Sequence, residues 1–170
     1  GFSSVRMWNR ERIEGRKKTN KRATLPYKDK ESYRWTLSAK ESADCIPSDV
    51  RKTIVGDRES DVYAFMDETL EVGCDFLIRS THNRKSSVGA DFDTLTEHLA
   101  KQKPMGEYSF SLPGRQGRKN RTAVMEVRFM PITLHAPHSN AGSKEKLDIY
   151  CVHVKERADS VPAGEEPVEW

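Results

Sequence analysis

The chain is short of almost everything that would place it in a familiar soluble class or in a membrane. No run of apolar residues approaches the roughly eighteen that a helix needs to cross a bilayer. The start, Gly1-Phe2-Ser3-Ser4, lacks the basic-then-apolar order of a signal peptide. Neither membrane insertion nor secretion is expected. Cysteine is scarce: Cys45, Cys74 and Cys151 are widely separated, which excludes a disulfide framework and a Cys-x-x-Cys zinc site and fits a reducing cytosol. The five histidines give only His135-x-x-His138, in a Pro-containing stretch read as a surface loop. There is no phosphate-binding Gly-rich loop, no Gly-x-Ser-x-Gly nucleophile elbow and no internal repeat. The chain has no initiating Met and stops in mid-pattern at Pro167-Val168-Glu169-Trp170, which reads as an excised fragment.

What is present suits one modest α/β unit with a solvated surface. The 170 residues are 35% apolar and 32% charged. The net charge of +3 conceals an asymmetry: residues 1–40 hold twelve Lys or Arg against four Asp or Glu, leaving −5 for the remainder. A polyanion is the natural partner of the basic part, because neutralised phosphates release counterions; a solvated basic loop explains the charge equally well.

Residues 2–13 fit an edge strand running into a loop over 14–32, and residues 32–43 are consistent with a strand (Tyr33, Trp35, Leu37) or a helix (Trp35, Ala39, Ala43). Lys52-Thr53-Ile54-Val55 is a short apolar run ending in Gly56, and Val62, Phe65, Met66 and Leu70 follow at helical spacing within Arg58 to Leu70. A second run, Phe76-Leu77-Ile78, follows Gly73, so strand, helix and strand predict a parallel pair buried under helices. Beyond Arg79 the pattern turns to Ser, Gly and charge, then to a helix over about 94–101 with Thr94 and Glu97 as a capping box. Alternation at Tyr108, Phe110 and Leu112 and at Met125, Val127 and Phe129 predicts a hairpin around the basic turn Pro113 to Arg121. Separate strands are expected at Pro131 to Leu134 and Leu147 to Lys155.

Asp57 falls just past the carboxyl end of a strand, where open α/β sheets keep their sites and where a carboxylate can hold a hard divalent cation. A cap on the following helix accounts for the same position. Asp61, four residues on, is expected on the same helix face, as a solvated or Arg-paired carboxylate.

Asp57-Arg58-Glu59-Ser60-Asp61-Val62-Tyr63-Ala64-Phe65 resembles the Asp-Arg-Glu-Ala-Asp segment that carries the second catalytic aspartate of cut-and-paste DDE transposases of the insertion-sequence-Four group. The similarity continues in order through Phe76 to Arg84, Gly117 to Arg121 and Ile132 to Leu134, to Pro167-Val168-Glu169-Trp170, covering most of the chain from residue 33. The resemblance implies a bacterial cytoplasmic protein and an RNase H-like core whose three acidic residues bind two Mg²⁺ or Mn²⁺ ions for in-line phosphodiester displacement. Asp57 would bridge or support both ions.

It also implies a domain plan: a truncated RNase H-like core over 1–84, a β-rich insertion over 85–166, and the start of a returning core strand over 167–170. Transposon-end DNA and target DNA would be the partners, with the parent expected as a dimer on DNA and the fragment as a monomer. Arg79 and Arg84 would contact DNA near the transposon end, and Trp170 would stack on a flipped base. Without the resemblance, a Trp opening an apolar strand is more often core. Arg115, Arg118, Lys119 and Arg121 would track phosphates, or simply solubilise a turn. The family's first aspartate and last glutamate have no counterpart here, so this chain by itself is expected neither to cleave nor to join DNA.

Overall fold

The segment that alternation left open, Tyr33–Cys45, is a helix (α1). Thr36, Ala39 and Ala43 form its buried stripe, small residues at helical spacing that let a neighbouring helix approach closely. Thr36 Oγ1 lies 2.7 Å from the Tyr27 hydroxyl, and burial pushes that phenol up to about 12. The computed structural model describes residues 3–7, 25–115, 119–138 and 143–170. Residues 3–7 are not the expected edge strand. They run without regular structure beside α1, where the hydroxyl of Ser4 donates to Glu41 at 2.6 Å and Arg6 Nε does so at 3.1 Å. The rest of that strand, and residues 14–24 of the loop expected over 14–32, lie outside the described residues; the end of that loop holds a 3-10 turn at Tyr27–Asp29.

The architecture is mixed α/β, with three helices and two sheets. By its contacts the chain divides into two compact units, Gly1–His82 with Ala136–Glu145, and Asn83–His135 with Lys146–Trp170. Among the described residues no helix is long and apolar enough to cross a membrane.

In the first unit β1 (Thr53–Gly56) and β2 (Asp75–Ile78) pair in parallel, Thr53 opposite Asp75 and Gly56 opposite Ile78. The pair is not buried on both faces as its apolar runs suggest: Val55 and Leu77 are exposed while Ile54 and Phe76 turn inward. Between the strands, the single helix expected from Arg58 is broken. A 3-10 turn spans Arg58–Ser60, Asp61 leaves the helical region (φ −72°, ψ 65°), and α2 begins only at Tyr63, running Tyr63–Glu71. Gly56 permits this tight turn, since a Cβ there would stand 2.7 Å from Ser60 Cβ and Oγ. Helix α2 buries Tyr63, Ala64, Phe65 and Met66 and ends in a Schellman motif: Gly73 sits at φ 71°, its N–H donating to Leu70 and that of Cys74 to Thr69. The Ala136–Glu145 segment is tied to α2 through Lys144, whose carbonyl accepts from Tyr63 Oη (3.0 Å) and whose N–H donates to Asp67 (2.9 Å).

The second unit is a five-stranded antiparallel sheet. β3 (Lys85–Val88), β4 (Asp91–Thr94), β5 (Gly106–Leu112), β6 (Arg121–His135) and β7 (Lys146–Glu156) are arranged in the order β4-β3-β6-β5, with β7 along the other edge of β6. The β3–β4 hairpin is hidden in the sequence, where four-residue strands of mostly polar residues leave almost no alternation. Helix α3 (Leu95–Ala100) follows β4, but its capping box does not form. Thr94 occupies the cap position without a side-chain bond, and Asn83 Oδ1 accepts from Thr96 N–H at 3.0 Å instead.

The strands expected separately around Met125 and around Pro131 are one, fifteen residues long. Proline fits inside it because β5 pairing stops at Val127 and β3 pairing starts at Thr133. Val154 and Glu156 of β7 send their N–H groups away from β6, so their partners Val127 and Met125, and Pro131 with them, point their nitrogens away from β7. The missing N–H of Pro131 therefore faces the gap between β5 and β3. His135, expected in a loop, closes β6 with Nε2 2.9 Å from Ser87 Oγ.

Burial on β6 changes face halfway along. Ala123 and Met125 are buried on one side, and Met130, Ile132 and Leu134 on the other with Leu147, on the side covered by α3. The final residues Val168–Trp170 run antiparallel to β7 in this second unit, Val154 and Trp170 exchanging backbone bonds of 2.8 and 2.9 Å. Residues 167–170 extend the sheet of the second unit.

Candidate functional site

Parallel pairing sets the register that makes a site at the carboxyl end of β1. Gly56 lies opposite Ile78, and Arg79 N–H donates to the Gly56 carbonyl at 3.2 Å, so Asp57 and Arg79 leave the two strands side by side. Both are exposed. Asp57 does cap the turn that follows, its Oδ1 accepting from Glu59 N–H at 3.0 Å. Capping and metal ligation are compatible here, because no other hydrogen bond to this carboxylate is found among the described residues. A cleft of about 350 Å³ flanks it, lined by Trp35, Ser38 and Ser42 of α1 and by Ile54, Ser60 and Phe65. Glu59 leans away, 3.5 Å from an Arg34 guanidinium that lies 4.6 Å over the Trp35 ring.

Asp61 is the residue that sequence reading misplaced. It shares no helix with Asp57, and its carboxylate is buried rather than solvated. One oxygen, Oδ2, accepts from Thr81 N–H (2.6 Å), Thr81 Oγ1 (3.1 Å) and His82 N–H (2.9 Å), and lies 3.0 Å from His82 Nδ1. A buried carboxylate gathering backbone donors is stable only with those donors in place. Asp61 thereby fixes the two residues that follow Arg79 and Ser80. Its recurrence in the Asp-Arg-Glu-Ser-Asp segment is the only sequence signal of this, because the donors lie twenty residues away and meet it through the β1–β2 pairing.

The remaining DNA-contact candidates belong to the second unit. Arg84 is half-buried, and its carbonyl accepts from Leu95 N–H at 3.0 Å. Arg115 and Lys119 are exposed on the loop between β5 and β6, while Arg118 lies outside the described residues. Arg121 is not available to track phosphates. Its side chain is 9% exposed and pairs with the fully buried Glu156 and with Glu165, the latter at 3.1 Å. Trp170 is neither core nor loose: it is 48% exposed, edge-on to Phe110 at 6.2 Å, and held by its backbone to Val154. Next to it, a hydrogen bond from His153 Nε2 (2.8 Å) and the nearby Lys155 ammonium hold the Glu169 carboxyl below the usual glutamate range.

The donors around Asp57 do not by themselves fit a two-cation centre. There is one carboxylate with one oxygen engaged, and among the described residues no group of three His, Cys, Asp or Glu is placed to hold a metal. A pair of hard cations needs several oxygen ligands. No family model matches the chain.

Proposed function

We propose that this chain is part of the catalytic region of a DDE-type cut-and-paste DNA transposase, with Asp57 as one of three carboxylates and the other two not among these 170 residues. The parent would cut and join DNA at transposon ends by Mg²⁺- or Mn²⁺-dependent phosphoryl transfer. The observation that carries the reading is the placement of Asp57 beside Arg79 at the carboxyl end of a parallel strand pair, with the segment beyond Arg79 locked by the second aspartate of the same motif. A free carboxylate oxygen and a neighbouring guanidinium suit a cation and a phosphate respectively. The truncated RNase H-like core and its β-rich insertion belong to this proposal, as do transposon-end and target DNA as partners.

The second reading is a non-catalytic nucleic-acid-binding module, favoured by the lone carboxylate. Both are tested in the full-length parent. Asp57→Ala abolishes metal-dependent nicking of transposon-end DNA and leaves DNA binding in place if Asp57 is a metal ligand. Undiminished nicking by that variant, or a parent gene with no aspartate on an upstream strand and no catalytic glutamate downstream, removes the catalytic reading. On the chain itself, Mn²⁺ broadens amide signals around Asp57 in NMR spectra, and no local effect at about millimolar metal counts against the assignment.

A further inference from the structure

The register of the second sheet sorts its side chains, and the sorting is lopsided. Five aromatic side chains are exposed among the described residues: Phe92, Tyr108, Phe129, Tyr150 and Trp170. All five stand on one face of this one sheet. Phe129 and Pro131 of β6 lie opposite Val152 and Tyr150 of β7; Tyr108 lies opposite Met125; Phe92 reaches the same face through Ser87 and Thr133; Trp170 faces Val154. Val152 adds a further exposed apolar side chain between Tyr150 and Trp170. Isolated exposed hydrophobics need no explanation, but Phe129, Val152 and Tyr150 are cross-strand neighbours, and such an exposed cluster on one sheet marks a binding surface.

Charge is sorted the same way. Strand carboxylates Asp91, Asp93, Glu107 and Glu126 stand on the opposite face, each with a cationic partner: Lys101 for the first two, Arg157 and Arg128 for the others. The aromatic face has exposed Lys85 and Lys146, neither with a carboxylate partner among the described residues, and Asp148 as its one exposed strand carboxylate. The exposed Arg115 and Lys119 lie beyond the end of the β5–β6 hairpin. A groove of about 380 Å³ beside Tyr150, floored by Pro131, Thr133 and Ser87, would admit a planar ring, with Thr133 and Asp148 offering polar groups at its edge.

We propose that this face is a stacking platform for single-stranded nucleic acid, with Phe129 and Tyr150 taking successive unpaired bases and the unpaired lysines taking phosphates. Aromatic rings offer every base the same π surface, and basic side chains at the rim follow a backbone without reading its sequence. An apolar protein partner would explain the rings but not the exposed Lys85 and Lys146 on the same face, neither paired with a carboxylate among the described residues. The inference goes beyond the transposase reading and stands on the second unit alone, since it needs no metal and no contribution from Asp57.

The test is fluorescence anisotropy of a labelled oligo(dT) with the 170-residue chain, against a duplex of equal length. The single strand binds more tightly than the duplex, and its affinity falls as salt rises. Phe129→Ala and Tyr150→Ala each weaken binding by roughly five- to a hundred-fold, while Tyr150→Phe, which keeps the ring, does not. Both positions are exposed, and an unchanged circular dichroism melt shows that the fold persists. Equal affinity for duplex and single strand, or alanine variants that bind as the parent does, overturns the proposal. Self-association that Tyr150→Ala abolishes, without oligonucleotide binding, overturns it in favour of a protein interface. Cleavage by the full-length parent reads Asp57 and binding by this chain reads the platform, so either idea can fail alone.

Discussion

Replacing Asp61 by alanine releases the segment that carries Arg79 into its position. The Asp61 side chain is wholly buried, and one oxygen takes two backbone N–H groups and a hydroxyl. Hydrogen bonds to a charged acceptor contribute about 1.5–3 kcal/mol each, and a buried donor left without a partner adds a penalty. Full additivity is not expected, because Thr81 and His82 are themselves exposed and water can reach their amides once the carboxylate is gone. The loss is therefore set at about 3 kcal/mol rather than twice that. With a urea dependence of about 2 kcal/mol/M, the unfolding midpoint falls by roughly 1.5 M. Asp61→Asn keeps the shape and one acceptor oxygen but not the charge, and costs about 1–2 kcal/mol. Urea titration by far-ultraviolet circular dichroism gives the midpoint, and amide hydrogen exchange at Thr81 and His82 localises the effect. A midpoint unchanged by Asp61→Ala, with Thr81 and His82 still protected, would refute the role assigned to this carboxylate.

Arg121→Ala strands a fully buried Glu156 and destabilises the chain by about 3–5 kcal/mol in thermal or urea unfolding. Arg115→Ala and Lys119→Ala stay within roughly 0.5 kcal/mol of the parent and instead reduce oligonucleotide affinity; the reverse ranking would contradict the separation of Arg121 from the exposed cations. Because Glu169 has a lowered folded pKa, led by its hydrogen bond from His153, its contribution is complete above the ordinary glutamate value and is lost as pH falls through the lowered one. An acid titration followed by Trp170 emission, in a background with the other two tryptophans replaced by Phe, shows this step, and Glu169→Gln removes it. Thiol titration separates the three cysteines: Cys45 is exposed and reacts first, whereas Cys74 is buried and burial pushes the Cys151 thiol up, so both wait for denaturant. Immediate labelling of all three would show that the β7 and α2 packing is looser than described.

Local pattern carried much of the fold. Apolar runs before Gly56 and after Gly73, helical spacing at Phe65 and Met66, and alternation at Tyr108–Leu112 and Met125–Phe129 each report an element whose periodicity is a local property of the chain. Asp57 was legible for the same reason, since the end of a strand is a local event. The β3–β4 hairpin was not, because its strands are short and polar, and neither was the break at Asp61, whose non-helical backbone answers to donors at Thr81 and His82.

What the amino-acid order determined by itself, then, was the identity of the strongly periodic elements, the position of one carboxylate at a strand end and the basic character of the β5–β6 turn. Tertiary structure alone decided which of these groups are available. Pairing of β1 with β2 turned Asp61 from a surface charge into a buried anchor, and Glu156 withdrew Arg121 from the basic turn. Cross-strand register gathered Phe92, Tyr108, Phe129, Tyr150 and Trp170, spread over nearly eighty residues of sequence, onto one face. Alternation along a strand says which residues share a side; only hydrogen bonding between strands says whose neighbours they become.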